Sequence, residues 1–344
     1  MAAVNTLQLV VNEFFQALGV WLVTPMKVIT FFGDELFYIL LLPILYWSFD
    51  QMIGLRVGMM LLLSNGINAF FKFIFRLPRP TWISDTVVAH VHESSFGLPS
   101  GHAQNAISVW GRLAVEVKKR WFTFLMVVLI LLIGISRLVM GVHFLGDLLA
   151  GWLIGGLLLW AFSSWFDKIA RWLKPKPLGV KIGLAVASTA VLMLMVLTVY
   201  WAIGTTWEMD LNWVDRAVQV DSACAKQSAQ PELECIVLVK PFSLDGTFTF
   251  GGTWTELLVG FLILWEKKGR FLAGEGGWHR LARFLVGLVG VIILYFGLGQ
   301  VFPRGAHALG YSLRFIRYTL VALWVSWIAP LAFEKIGILK FEGR

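Results

Sequence analysis

Apolar residues run through this chain in blocks of about twenty, separated by short polar stretches. Roughly 20 apolar residues suffice to cross the hydrocarbon core of a bilayer as a helix. The strict apolar–polar alternation of a transmembrane barrel is absent. The pattern therefore predicts an all-α fold, a polytopic transmembrane helical bundle, with spanning segments near 30–48, 52–72, 100–116, 121–141, 144–165, 181–203, 247–265, 284–302 and 316–333. The opening stretch Leu7–Val23 is apolar but carries Asn12, Glu13 and Gln16. It spans or lies along the interface, and we expect the interfacial placement. It lacks the basic start and small-residue cleavage site of a secretory signal, so we expect it in the mature protein.

Composition strengthens the membrane assignment. Of 344 residues, 58% are hydrophobic and 15% charged, against roughly 25% charged in an average soluble domain. A net charge of +8 raises the question of nucleic acid, but its distribution points to a membrane instead. Loop 112–121 holds Arg112, Lys118, Lys119 and Arg120; loop 166–181 holds Lys168, Arg171, Lys174, Lys176 and Lys181; loop 266–283 holds Lys267, Lys268, Arg270, Arg280 and Arg283. By the positive-inside rule these loops are expected in the cytoplasm. Segment 205–252 carries seven acidic residues against Arg216, Lys226 and Lys240, and is expected outside. Both cysteines, Cys224 and Cys235, fall there, where an oxidising compartment permits a disulfide; two free thiols are the alternative.

The chain divides into an N-terminal interfacial or spanning helix (1–29), a core (30–204), the acidic outer loop (205–252) and three C-terminal transmembrane helices (253–344). Every candidate catalytic group lies in the core. Gly151 and Gly155, four apart in one segment, read as a close helix contact.

Three short motifs carry the candidate chemistry, because ionisable residues in or beside a bilayer are costly and tend to mark functional sites. In the first, Lys72-Phe-Ile-Phe-Arg76-Leu-Pro78-Arg79-Pro80, Lys72 and Arg79 are seven residues apart. They share a side if the helix persists nearly to Pro78; alone, such residues snorkel to headgroups. In the second, Leu98-Pro99-Ser100-Gly101-His102, Ser100 is a natural N-cap and Gly101 permits close approach to the backbone, at a helix start suited to anions. Alone, it is an ordinary capped helix. In the third, Ser136-Arg137 is followed after five residues by His143 and after three more by Asp147. On a helix these last two share a face, and the carboxylate holds the imidazole in one tautomer; the bland alternative is a surface pair. Helix alternation delivers all three motifs to the same outer membrane surface, since loop 112–121 between the second and third is cytoplasmic.

Taken in order, Lys-x6-Arg-Pro, Pro-Ser-Gly-His and Ser-Arg-x5-His-x3-Asp resemble the tripartite signature of the type 2 phosphatidic acid phosphatase superfamily, which also includes soluble vanadium haloperoxidases. The resemblance covers roughly residues 30–200. It implies a helical bundle of about six helices for the core, to which three further C-terminal helices are added. It also implies metal-independent cleavage of a phosphate ester or pyrophosphate on the non-cytoplasmic side.

On that reading Lys72, Arg79 and Arg137 neutralise a phosphate, with donors from Ser100 and the Gly101 amide. His143 attacks phosphorus; His102 protonates the leaving oxygen and then activates the water that hydrolyses the phosphohistidine. No metal or cofactor is expected. His90 and His92, in the same loop but without a partnering motif, are expected to be ordinary loop residues. The expected partners are a phosphorylated lipid substrate and the membrane, not nucleic acid, and the expected location is a bacterial plasma membrane. The motifs recognise phosphate and not the rest of the molecule; undecaprenyl pyrophosphate and phosphatidate are the first expectations. A phosphotransferase using the same phosphohistidine, or a lipid transporter or scramblase, are the alternatives. Neither the oligomeric state nor the role of the last three helices is encoded in these motifs.

Overall fold

The computed structural model describes residues 2–204, 208, 210–220, 241–272, 276–303 and 305–342. Cys224 and Cys235 lie outside the described residues, and so does the question of their pairing. The regular structure of the described residues is helical apart from one antiparallel ladder, β1 (Phe271–Leu272) with β2 (Lys340–Phe341). Among the described residues, seven helical stretches are long and apolar enough to cross a membrane: Gln51–Ile83, Arg120–Val139, Leu145–Leu173, Leu178–Gly204, Asp245–Lys268, Gly277–Val301 and Ala308–Lys335. Their outer faces are those of a bilayer protein: Leu149, Leu153, Leu157 and Trp160 recur along one exposed face of Leu145–Leu173, while Leu148, Gly151 and Gly155 are buried.

Two of the nine expected spans differ. Segment 30–48 is broken by a turn at Gly33–Asp34, between α2 (Val23–Phe31) and α3 (Glu35–Pro43), which continues as a π-helical turn, Ile44–Phe49. Segment 100–116 is a shorter helical run made of α6 (Gly101–Ala106), a π-helical turn (Ile107–Gly111) and α7 (Arg112–Val117), stopped by Lys118 in left-handed conformation at φ 56°. The N-terminal stretch is not one straight helix. Helices Leu7–Ala17 and Val20–Phe31 meet at 85°, and the bend is made at Gly19, φ 116°, a conformation a side chain would resist.

The described residues form two compact units, the first drawn from those within 1–35, 67–159 and 196–243, the second from those within 36–66, 160–195 and 244–344. In the first, α1 (Ala2–Ala17), α2, α6 and α8 (Arg120–Val139) pack with the start of α9 (Leu145–Leu173). Ala103, Leu138 and Leu148 form one apolar centre, joined by Val11, Phe15, Leu145 and Trp152. The glycines of α9 allow a close crossing: a Cβ on Gly151 would lie 2.6 Å from Ser100 O, and one on Gly155 would lie 2.7 Å from Gln104 O. The helix bearing the second motif is thus held directly against α9, as the four-residue spacing predicts.

In the second unit, α10 (Asp245–Lys268) and the run formed by α11 (Ala308–Leu323), a π-helical turn (Trp324–Ile328) and α12 (Ala329–Lys335) lie parallel. Asp245 pairs with Arg314 at one end (3.1 Å) and Lys268 with Glu334 at the other (2.8 Å). Tyr46 and Trp47 donate to Ser326 O and Val325 O, at 3.1 and 2.9 Å, taking up carbonyls in a turn whose regular pattern the π geometry interrupts.

Candidate active site

All eight residues singled out in the three motifs lie in the first unit, and the structure brings most of their charged groups onto one cluster. The route is not the one that spacing suggests for the first motif. Helix α4 (Gln51–Phe75) does not persist to Pro78: it stops at Phe75, Arg76 turns into left-handed conformation (φ 51°), and Arg79 becomes the extended residue that precedes the short helix α5 (Pro80–Ile83). Pro78 and Pro80 give the physical reason, since neither supplies an N–H to continue the helix. Lys72 and Arg79 still converge, because both reach Ser95: Lys72 Nζ donates to its Oγ at 2.7 Å, and Arg79 Nε donates to its carbonyl at 2.6 Å.

The second motif behaves as its sequence predicts. Ser100 is the N-cap of α6, its Oγ accepting from the Ala103 N–H. Asn68, one turn before Lys72, ties the motif down by donating to Pro99 O (3.3 Å) and Gln104 Oε1 (2.9 Å). Gly101 faces Asn68, whose Oδ1 would sit 3.3 Å from an added Cβ.

The third motif joins its His and Asp by a different device. His143 precedes α9 and is not on the helix. Asp147, in the first turn of α9, reaches back as the acidic member of a capping box, accepting from the Phe144 N–H at 2.9 Å and facing His143 Nδ1 at 3.1 Å through the same Oδ2. Its carbonyl accepts from the Ser100 N–H at 3.0 Å, so the second and third motifs are hydrogen-bonded to each other.

Arg79 is the hub. Only 1% exposed, it donates to Ser95, Phe96 O and Val142 O, pairs with Glu93 at 3.3 Å, and places Nη1 3.1 Å from His143 Nε2. A guanidinium only donates, so Nε2 of His143 must accept there, and the ring proton must sit on Nδ1, facing Asp147. Arg137, also buried, donates to Thr30 Oγ1 at 2.7 Å and to Glu93 Oε1, while its Nε has no partner. The pKa of His143 is held well below the ordinary histidine value, first by burial and then by Arg79, Arg137, Lys72 and His102. Its ring is therefore neutral at neutral pH.

Sequence reasoning missed four participants. Glu93 pairs with Arg79 and Arg137 and lies 4.0 Å from His102 Nδ1. Burial by itself would raise its carboxyl, but Arg79, Arg137, His102 and Lys72 together outweigh that and hold it well below the carboxylate range. Ser95 receives Lys72 and Arg79. Thr30 receives Arg137, and Asp34 Oδ1 lies 2.7 Å from His102 Nε2. An acid nine residues before His102, inside the loop that joins two cationic motifs, was the available signal for Glu93; for Thr30 and Asp34 there was none nearby in sequence. The N-terminal helix α1 contributes as well. Its polar residues face the protein: Asn12 Nδ2 donates to His143 O at 3.0 Å, Gln16 Nε2 to Val88 O at 2.7 Å, Gln8 accepts from Gly146 N–H at 2.9 Å and Glu13 from Thr86 at 2.6 Å. Buried loop backbone needs partners, and α1 supplies them.

Comparison with known proteins gives this cluster a family. Residues 53–171, which contain all three motifs, match the PAP2 superfamily model. Phosphatidylglycerophosphatase B of Bacillus subtilis is 31% identical over 166 residues, which are 44% of this chain and 78% of that protein. The chain belongs to the PAP2 superfamily. Residues 248–341, beyond the signature, match a second PAP2 model, the superfamily phosphatase transmembrane extension, so the three C-terminal helices are a family element too. Sphingosine-1-phosphate phosphatase 1 of Mus musculus is 32% identical over 143 residues, 40% of this chain and 33% of that one. Human glucose-6-phosphatase 3 is 25% identical over 231 residues, 60% of this chain and 63% of that one. The chain thus spans about a third of the length of the sphingosine-1-phosphate phosphatase it matches.

Proposed function

We propose that this PAP2 protein is a membrane phosphatase that hydrolyses a lipid-borne phosphate through a phosphohistidine on His143. The observation that carries the reading is the orientation of that ring: Nδ1 toward Asp147, and Nε2, as an acceptor, toward the buried cationic cluster. A nucleophile needs its lone pair aimed where the phosphorus arrives, with a partner behind it to stabilise the developing imidazolium. Lys72, Arg79 and Arg137 carry the charge on the equatorial oxygens, with Ser100 and the Gly101 amide as further donors. His102 gives a proton to the leaving oxygen and takes one from the attacking water. Relatives of the chain are named for sphingosine-1-phosphate, phosphatidylglycerophosphate and glucose-6-phosphate. That range of organic parts agrees with a site that grips phosphate alone, and the apolar outer faces favour lipid substrates, phosphatidate and undecaprenyl pyrophosphate first.

The site opens on the non-cytoplasmic side of a plasma membrane, bacterial by the substrate expectation. The basic loops 112–121, 166–181 and 266–283 support this orientation through the positive-inside rule. Phosphate release by the purified protein from phosphatidate, undecaprenyl pyrophosphate, phosphatidylglycerol phosphate and sphingoid-base phosphate tests the function. Release from at least one, lost in His143→Ala and unchanged by excess chelator, is expected. No release from any, or release that demands a divalent ion, overturns the reading. Loss of free phosphate with transfer to an added alcohol would instead identify a phosphotransferase.

A further inference from the structure

His102 has a partner that none of the three motifs contains. Asp34 Oδ1 lies 2.7 Å from His102 Nε2. The carboxylate stands on the turn between α2 and α3, which is closed by the Gly33 N–H bonding Thr30 O at 2.8 Å and the Asp34 N–H bonding Phe31 O at 3.1 Å. The imidazole rests on that turn: a Cβ added to Gly33 would fall 2.8 Å from His102 Cδ2. The same five residues, 30–34, also hold Arg137 through Thr30 and receive Trp110 Nε1 on Phe32 O at 3.3 Å. On its other edge His102 turns Nδ1 toward Glu93 and the cationic cluster.

An ionised carboxylate only accepts, so in the neutral ring the proton sits on Nε2 and the Nδ1 lone pair faces the site. In the imidazolium both nitrogens carry protons, and Nδ1–H is the one aimed at the cluster. We propose that Asp34 is the positioning residue of His102, fixing Nε2 as the anchored nitrogen and Nδ1 as the one that exchanges protons with leaving group and water. The inference rests on the acid–base role given to His102 above. In the first step the bond from His143 Nε2 to phosphorus forms, the ester P–O bond breaks, and the Nδ1 proton of His102 goes to the leaving oxygen. In the second, water oxygen bonds phosphorus while its proton goes to Nδ1. The P–N bond breaks with its electron pair returning to His143, and inorganic phosphate leaves. Throughout, Asp34 keeps the Nε2 proton and balances the charged form of the ring. The arrangement is a second His–Asp pair, set behind the acid as Asp147 is set behind the nucleophile.

The test uses the protein in detergent with two substrates: the lipid phosphate monoester turned over fastest in the panel above, whose alkoxide leaving group needs a proton, and p-nitrophenyl phosphate, whose leaving group does not. Asp34→Asn keeps the shape of the side chain and removes the charge. Its kcat on the lipid phosphate is expected to fall about 10²-fold, the scale of general acid–base catalysis, with KM within about twofold. Its first-step rate on p-nitrophenyl phosphate, read from the rapid-quench burst, is expected to fall far less. His102→Ala should show the same selectivity, and the double variant should be no worse than His102→Ala. The burst on p-nitrophenyl phosphate also reports that each variant is folded. If His102→Ala is selective but Asp34→Asn loses equally on both substrates, or adds its full loss to His102→Ala, Asp34 is structural and the inference fails alone. If His102→Ala is itself unselective, the acid–base reading falls and takes the inference with it.

Discussion

The two compact units use charge in opposite ways. In the first, charged groups are buried and crowded: Arg79, Arg137, His143 and Asp147 are each 3% exposed or less, and Glu93 is wedged among them. In the second, ion pairs such as Asp245–Arg314, Lys268–Glu334 and Arg56–Asp167 join partly exposed side chains. Exposed pairs contribute about 0–1 kcal/mol, whereas buried charges are retained at a cost that packing alone would not choose. The contrast marks the buried cluster of the first unit as the place where stability yields to function, and the exposed ion pairs of the second as replaceable.

The largest effect tests that contrast at its centre. His143→Ala should abolish turnover and leave no phosphoenzyme on any other residue. In His102→Ala an acid-labile phosphoenzyme should accumulate with p-nitrophenyl phosphate. Rapid-quench labelling and peptide mapping read both, and label on His102 would reverse the two assignments. Asp147→Asn comes next, with a loss on the order of 10²–10⁴ in rate and retained binding, because the amide cannot hold the same tautomer or balance the imidazolium. Replacement also weakens the bond to the Phe144 N–H, so a drop in thermal stability should accompany it.

Glu93→Gln separates stability from function. It leaves Arg79 and Arg137 with less compensation, for which a loss of about 3 kcal/mol is expected, yet it removes a competing anion from the cluster, so vanadate and inorganic phosphate should bind more tightly. Because the folded-state pKa of Glu93 is depressed, the wild-type advantage should be complete above the unfolded value, about 4.3, and shrink as pH falls below it. Melting curves of both proteins in detergent across that range check the sign; an advantage that grows toward acid would refute it. A pH effect is also expected on rate. Lys72 is one of the cations that hold His143 neutral, so in Lys72→Met the acid limb of kcat/KM should move to higher pH, whatever happens to its height.

The smallest effect is expected in the second unit. Lys268→Ala removes one partner of a pair whose side chains are 41% and 36% exposed. Its melting temperature should stay close to wild type and its kcat unchanged. A loss of activity there would mean that the extension takes part in turnover and would end the comparison as drawn.

By itself the sequence determined the membrane character and the helical class, and it supplied the eight residues of the proposed site. Each of these is local or additive: apolar run length, charge in loops, and motifs in which Ser100 caps its own helix and Asp147 lies four residues from His143. The C-terminal helices were legible as helices for the same reason. What only the tertiary structure decided are contacts between residues far apart in the chain. Proline-broken backbone brings Arg79 beside Lys72 through Ser95, although helical spacing suggested a shared face. The polar residues of α1 satisfy the loop that carries His143, yet a polar stripe facing loop backbone has the same sequence pattern as one facing water. Thr30 and Asp34 lie in a segment expected to be the start of a span, and they become partners of Arg137 and His102 only because the chain turns at Gly33. A hydrogen bond across 68 residues, as between Asp34 and His102, leaves no periodicity to read, because its partner is set by packing and not by position along the chain.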